Sequence, residues 1–122
     1  MSDPVITVEN LTMTYDDRVI QRDLSFAVQR GDIFVIMGGS GCGKSTLLRH
    51  LIGLQAPAAG SVHYGTDDFW AAAPAAQEHL KRRFGVLFQA GALWSALTLA
   101  ENVALPLEEF TALPAAAIGE IV

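Results

Sequence analysis

A single cysteine, Cys42, stands in a chain of 122 residues, so no internal disulfide framework is available and the composition suits a reducing compartment. Histidine is nearly as scarce. His50, His63 and His79 fall at no metal-ligand spacing, which excludes a zinc site on sequence grounds. Basic residues number 8 against 13 acidic ones, for a net charge of −5, and only Lys81, Arg82 and Arg83 cluster. That balance argues against a nucleic-acid partner. The N-terminus has no basic segment followed by an apolar run, so no signal peptide is expected. Residues 84–100 carry no charge, but the stretch falls short of the ~20 predominantly apolar residues that span a bilayer. It also contains Gln89, Ser95 and Thr98, and it reads as a buried strand followed by an apolar loop. What the chain does have is apolar content, 51%, which describes a core-forming protein of at most one small domain.

Period-two patterns open the chain. Leu11, Met13 and Tyr15 alternate with Thr12 and Thr14, and Leu24, Phe26 and Val28 alternate with Ser25, Ala27 and Gln29. Antiparallel strands with one buried face follow, with Asp16-Asp17 as the turn. Residues 33–37 are continuously apolar, the composition of a strand covered on both faces of a parallel sheet, and residues 84–88 resemble them. Leu47, Leu48, Leu51 and Leu54 recur at helical spacing. Residues 61–64 predict a strand, 65–68 a turn, and 71–83 a helix with Pro74 in its first turn. Thr98 and Glu101 have capping-box spacing, so a helix starts there and is ended or kinked at Pro106. Another begins near Pro114, with Leu113, Ala117, Ile118 and Ile121 on its apolar spacing, and it reaches Val122 without a cap.

The stretch "GGSGCGKS" at residues 38–45 fits the pattern G-x-x-x-x-G-K-[ST], between an apolar strand-like run and an amphipathic helix. Each position has a chemical reason. A helix N-terminus offers N–H groups without intrahelical partners and a partial positive charge to a polyphosphate. Glycines let successive N–H groups face one concavity. Lys44 adds a full charge at the outer phosphates, and Ser45 presents a hydroxyl to Mg²⁺, a hard cation that prefers oxygen. The expected phosphate-binding set is Gly38, Gly39, Ser40, Gly41, Cys42, Gly43, Lys44, Ser45 and Thr46.

The flanking segments carry a resemblance. "LTMTYDDRVI", "GGSGCGKSTLLRHLIGL", "PAAGSV", "GVLFQ" and "TLAENVALPL" occur in the order found in ATP-binding subunits of ABC transporters, over almost the whole chain. The loop wording is most similar to ATPases of Mla-type phospholipid transporters. The resemblance implies an α/β P-loop NTPase fold of the ABC type, with antiparallel N-terminal strands, the phosphate-loop strand and helix, and the start of a helical subdomain. It divides the chain into a nucleotide-binding part at residues 1–92 and a loop with the opening of the helical subdomain at 93–122. It further implies ATP and Mg²⁺ as cofactors, Lys44 and Gln89 as the residues acting in hydrolysis, and Ser45 and Gln89 as Mg²⁺ contacts. Tyr15 matches the residue that stacks on adenine, although its alternation with Leu11 and Met13 is equally that of a core side chain. Gln89 is alternatively a solvated strand end. Leu93, Trp94 and Leu97 either tuck under their loop or form the patch that seats a permease helix. Trp70, which matches no motif, is expected to pack.

Partners implied by the family are a membrane permease and a second ATPase subunit in a homodimer, on the cytoplasmic, inner face of the plasma membrane. The family's later features are absent: no apolar strand ends in Asp-Glu, and neither a histidine switch nor a Ser-Gly-Gly signature occurs. The chain is therefore expected to be the N-terminal part of an ATPase domain that binds nucleotide without turnover. Two other readings are a stand-alone nucleotide-binding module and a soluble ABC ATPase acting on nucleic acid or ribosomes.

Overall fold

The structure, a computed structural model, describes residues 3–39 and 43–122. The chain divides into two compact units, Met1–Val86 and Leu87–Val122.

In the first unit, β1 (Pro4–Tyr15) and β2 (Arg18–Gln29) form an antiparallel hairpin that closes with Tyr15 opposite Arg18. Asp16 and Asp17 both take positive φ, 48° and 63°. Two left-handed residues in succession give the turn that matches strand twist, and aspartate tolerates that region better than most side chains. Strand β3 (Ala59–Tyr64) pairs with the other edge of β1, and β4 (Asp67–Asp68) with β3, giving the antiparallel order β2-β1-β3-β4.

Strict alternation would put Val8 and Leu11 on opposite faces, yet both are buried. A register shift between them resolves this. Asn10 sits at φ 50° and its N–H donates to Ser25 Oγ at 2.9 Å, so the displaced amide keeps a partner. Opposite the bulge lies Gly60, where a Cβ would come within 2.4 Å of the Asn10 carbonyl oxygen.

The core gathers Val8, Leu11 and Met13 of β1, Val62 and Tyr64 of β3, and Phe69. Leu47 and Leu51 come from helix α1 (Lys44–Leu51), and Leu80 from helix α2 (Pro74–Lys81). Tyr64 meets Phe69 edge-on at 5.6 Å and stacks on Phe84 at 5.5 Å. Trp70 packs edge-on against Phe69, and its indole N–H donates to the His50 carbonyl at 3.1 Å. The packing role expected of Trp70 holds.

Three sequence expectations need correction. Residues 33–37 and 84–88 form no strand, and Ile33 and Leu87 are 94% and 91% exposed. A strand exists only through a ladder to a neighbour, and among the described residues neither segment has one. The apolar stripe of α1 is Leu47 and Leu51 with the fully buried His50, whereas Leu48 and Leu54 are exposed. Helix α1 stops at Leu51, so Leu54 no longer follows the helical period. Of the two outcomes expected at Pro106, an end or a kink, the first does not occur, since the helix continues to Phe110.

The second unit consists of a loop followed by α3 (Leu99–Phe110) and α4 (Ala115–Ile121), which bury Ala104 and Ile118 respectively. Thr98 caps α3, its hydroxyl accepting the Glu101 N–H at 3.1 Å, as the capping-box spacing predicts. All titratable side chains of this unit are acidic: Glu101, Glu108, Glu109 and Glu120, with no Lys, Arg or His.

Candidate functional site

Helix α1 begins on a glycine. Gly43, its N-cap, has φ 97° and ψ 12°, and no side chain caps the first turn or places a carboxylate in it. The first-turn N–H groups thus keep their capacity for an outside acceptor, and the positive end of the helix is not neutralised locally. A Cβ at position 43 would lie 2.7 Å from Ile20 Cγ2 and 3.1 Å from Met13 Cε. The end of the loop therefore rests against the β1–β2 hairpin, and only a residue without a side chain fits there.

Lys44 and Ser45, the first two residues of α1, are exposed, while Thr46 faces inward and is buried. The Lys44 ammonium reaches back to donate to the carbonyl of Gly38, the first glycine of the loop. A cleft of about 240 Å³ is lined by Gly38, Gly43 and Lys44 together with Met13, Leu24 and Leu47. Glycine backbone, a helix N-terminus and a lysine ammonium are the kinds of group that attract an anion. Ser40, Gly41 and Cys42 lie outside the described residues.

Tyr15 closes β1 beside the hairpin turn and is 59% exposed, outside the core cluster. Gln89 belongs to the second unit. It is exposed, in a turn where the Gly91 N–H donates to the Phe88 carbonyl at 3.1 Å. The structure thus brings Gly38, Gly43 and Lys44 to one cleft, with Ser45 exposed next to Lys44 in the chain, and sets Tyr15 at the hairpin end of the same unit.

In the loop before α3, Leu93 and Trp94 are exposed, Trp94 by 66%, and Leu97 is half-buried. Holding this loop is Asn102, whose carboxamide accepts the Trp94 N–H and donates to the Trp94, Leu97 and Thr98 carbonyls. Sequence reasoning did not single out Asn102, nor the seat that Ile20 and Met13 provide for Gly43. An asparagine in the first turn of a helix is a poor helix former, and that is the available hint. The Gly43 seat depends on a contact between segments far apart in sequence, which spacing does not reveal.

A family model described as ABC transporter matches residues 21–120. The chain belongs to the ATP-binding subunits of ABC transporters. It is 38% identical, along its full length, to the intermembrane phospholipid transport system ATP-binding protein MlaF of Haemophilus influenzae, and it covers 46% of that relative. Against the putrescine transport ATP-binding protein PotG of Escherichia coli it is 36% identical over 87% of this chain and 27% of the relative. Among solved structures, a dimeric ATP-binding cassette in a post-hydrolysis state, bound to ADP and phosphate, superposes with a TM-score of 0.84 at 27% identity. That match covers 94% of this chain and 53% of the other. The chain thus spans about half the length of the MlaF relative and of the solved cassette and about a quarter of PotG, and its fold is that of an ABC ATPase P-loop domain in part.

Proposed function

We propose that this chain provides the phosphate-binding part of an ATPase that powers membrane transport. The observation that carries the reading is the glycine-capped start of α1, with Lys44 placed over the loop it closes. In this reading Lys44 and the loop amides of residues 38–46 hold the phosphates of ATP, and Lys44 exchanges the Gly38 carbonyl for a phosphate oxygen. Ser45 contributes its hydroxyl, and Gln89 its amide, to Mg²⁺. Mg²⁺, when bound, neutralises phosphate charge and lowers the cost of its redistribution. Tyr15 offers an exposed ring on which a base can stack.

Permease docking at Leu93, Trp94 and Leu97, pairing with a second ATPase subunit, and a place on the cytoplasmic face of the membrane complete the proposal. Phospholipid is the cargo we favour, because the relative named for phospholipid transport aligns over 100% of this chain and the one named for putrescine over 87%.

The test is Lys44→Ala in the full-length protein. Removing one charged donor to phosphate is expected to weaken ATP binding by at least roughly tenfold, with thermal stability and circular dichroism unchanged. Calorimetric titration that returns the wild-type affinity contradicts the assignment of Lys44.

A further inference from the structure

Trp94 is two-thirds exposed, on a loop, yet its backbone is held at both polar groups by one side chain. Asn102 Oδ1 accepts the Trp94 N–H at 2.8 Å, and Nδ2 donates to the Trp94 carbonyl at 3.1 Å. The same Nδ2 lies 2.9 Å from the Thr98 carbonyl and 3.3 Å from that of Leu97. Two N–H donors therefore serve three carbonyls, one of them shared. The orientation of the amide is fixed by this set, since the flipped amide would turn its NH₂ towards the Trp94 N–H and its oxygen towards three other oxygens.

The loop also closes on itself, with the Leu97 N–H donating to the Trp94 carbonyl at 3.2 Å. Asn102 in turn is set by the capped first turn of α3, where its own N–H donates to the Thr98 carbonyl at 3.0 Å. The chain from Thr98 through Asn102 to Trp94 consists of hydrogen bonds throughout. Its product is an aromatic side chain presented to solvent on a fixed backbone.

We infer that Asn102 is a positioning residue: its carboxamide clamps the loop so that the Trp94 backbone is preorganised to present the indole as an anchor for the permease proposed to dock there. The inference rests on the proposed docking role of this loop. Large rigid aromatics are the anchors of interfaces, and an anchor ordered beforehand avoids the entropic cost of ordering it on contact. Asparagine is required because both an acceptor and two donors are used. Aspartate would satisfy the Trp94 N–H but turn an anion towards three carbonyl oxygens.

The test uses the full-length protein carrying 5-fluorotryptophan, with the Trp94 resonance identified by its loss in Trp94→Phe. In Asn102→Ala the Trp94 fluorine resonance is expected to narrow and move towards that of the free amino acid. Trp70, partly buried against the core of the first unit, keeps its resonance and reports that this unit is intact, while unchanged helical circular dichroism reports that α3 is kept. Binding to inverted membrane vesicles from the source organism is expected to fall roughly tenfold, the loss that ordering the anchor on binding imposes. Asn102→Asp is expected to behave the same way or worse.

A Trp94 resonance unmoved in Asn102→Ala overturns the role of Asn102, even if Trp94→Ala abolishes vesicle binding and so upholds the docking loop. Vesicle binding by Trp94→Ala at the wild-type level overturns the docking reading and with it the positioning role, even where the resonance has moved.

Discussion

A methyl group at position 43 would have to sit 2.7 Å from Ile20 Cγ2, on a backbone whose φ is 97°. Gly43→Ala therefore combines left-handed strain with overpacking against the hairpin. It is expected to destabilise the protein by about 1–3 kcal/mol, measured by denaturant unfolding, and to weaken ATP binding because the loop must shift to relieve the contact. Tyr15 is the opposite case, exposed and outside the core. Tyr15→Phe should keep ATP affinity and Tyr15→Ala should lose roughly tenfold, a base–aromatic stack being worth about 1–3 kcal/mol, with little change in stability for either. Equal affinity of both variants would remove Tyr15 from the site. Lys44, Ser45 and their glycines could be singled out from the sequence because the pattern that selects them is one of residue type and spacing alone. Ile20 beneath Gly43 and Asn102 behind Trp94 were not, because their significance lies in what folding brings next to them.

Among the elements, those whose signals are local came through the sequence best. The Asp16-Asp17 hairpin and the Thr98 cap each depend on a few consecutive residues, and both form as read. Thr98→Ala is expected to cost about 1 kcal/mol of α3 stability, seen as faster hydrogen exchange at the Glu101 amide. Exchange unchanged at that amide would mean the cap contributes nothing. Residues 33–37 and 84–88 failed as strand predictions for a reason outside their own composition. Continuous apolar runs record what a segment would bury, whereas a strand also needs a ladder partner. The substitution of His50 for Leu48 and Leu54 in the buried face of α1 has a different origin. His50 is buried with Nδ1 2.7 Å from the Gln55 carbonyl and Nε2 without a hydrogen-bond partner among the described residues, and a buried polar side chain is invisible to an apolar count.

On the scale of the whole molecule, the core makes a prediction about alkaline pH. Burial of Tyr64 among Phe69 and Phe84 pushes its hydroxyl up to about 12 from 10.0. Since the folded state holds this proton more tightly than the unfolded chain, the associated stability is fully present below pH 10 and is lost as pH rises towards 12. The loss is on the order of 2–3 kcal/mol. Unfolding midpoints followed across that range should fall, and Tyr64→Phe should remove most of the slope. An unchanged slope in Tyr64→Phe would place the alkaline sensitivity elsewhere.

The unit Leu87–Val122, with carboxylates as its only titratable side chains, carries one further consequence. Trypsin cuts after lysine and arginine, and within this chain its last site is Arg83, three positions before the boundary between the two units. The protease is thus blind to the loop that carries Trp94, to Asn102 and to both helices beyond that loop. Residues 84–122 should remain together on one tryptic peptide, however open or closed that half of the chain is at the moment of cleavage.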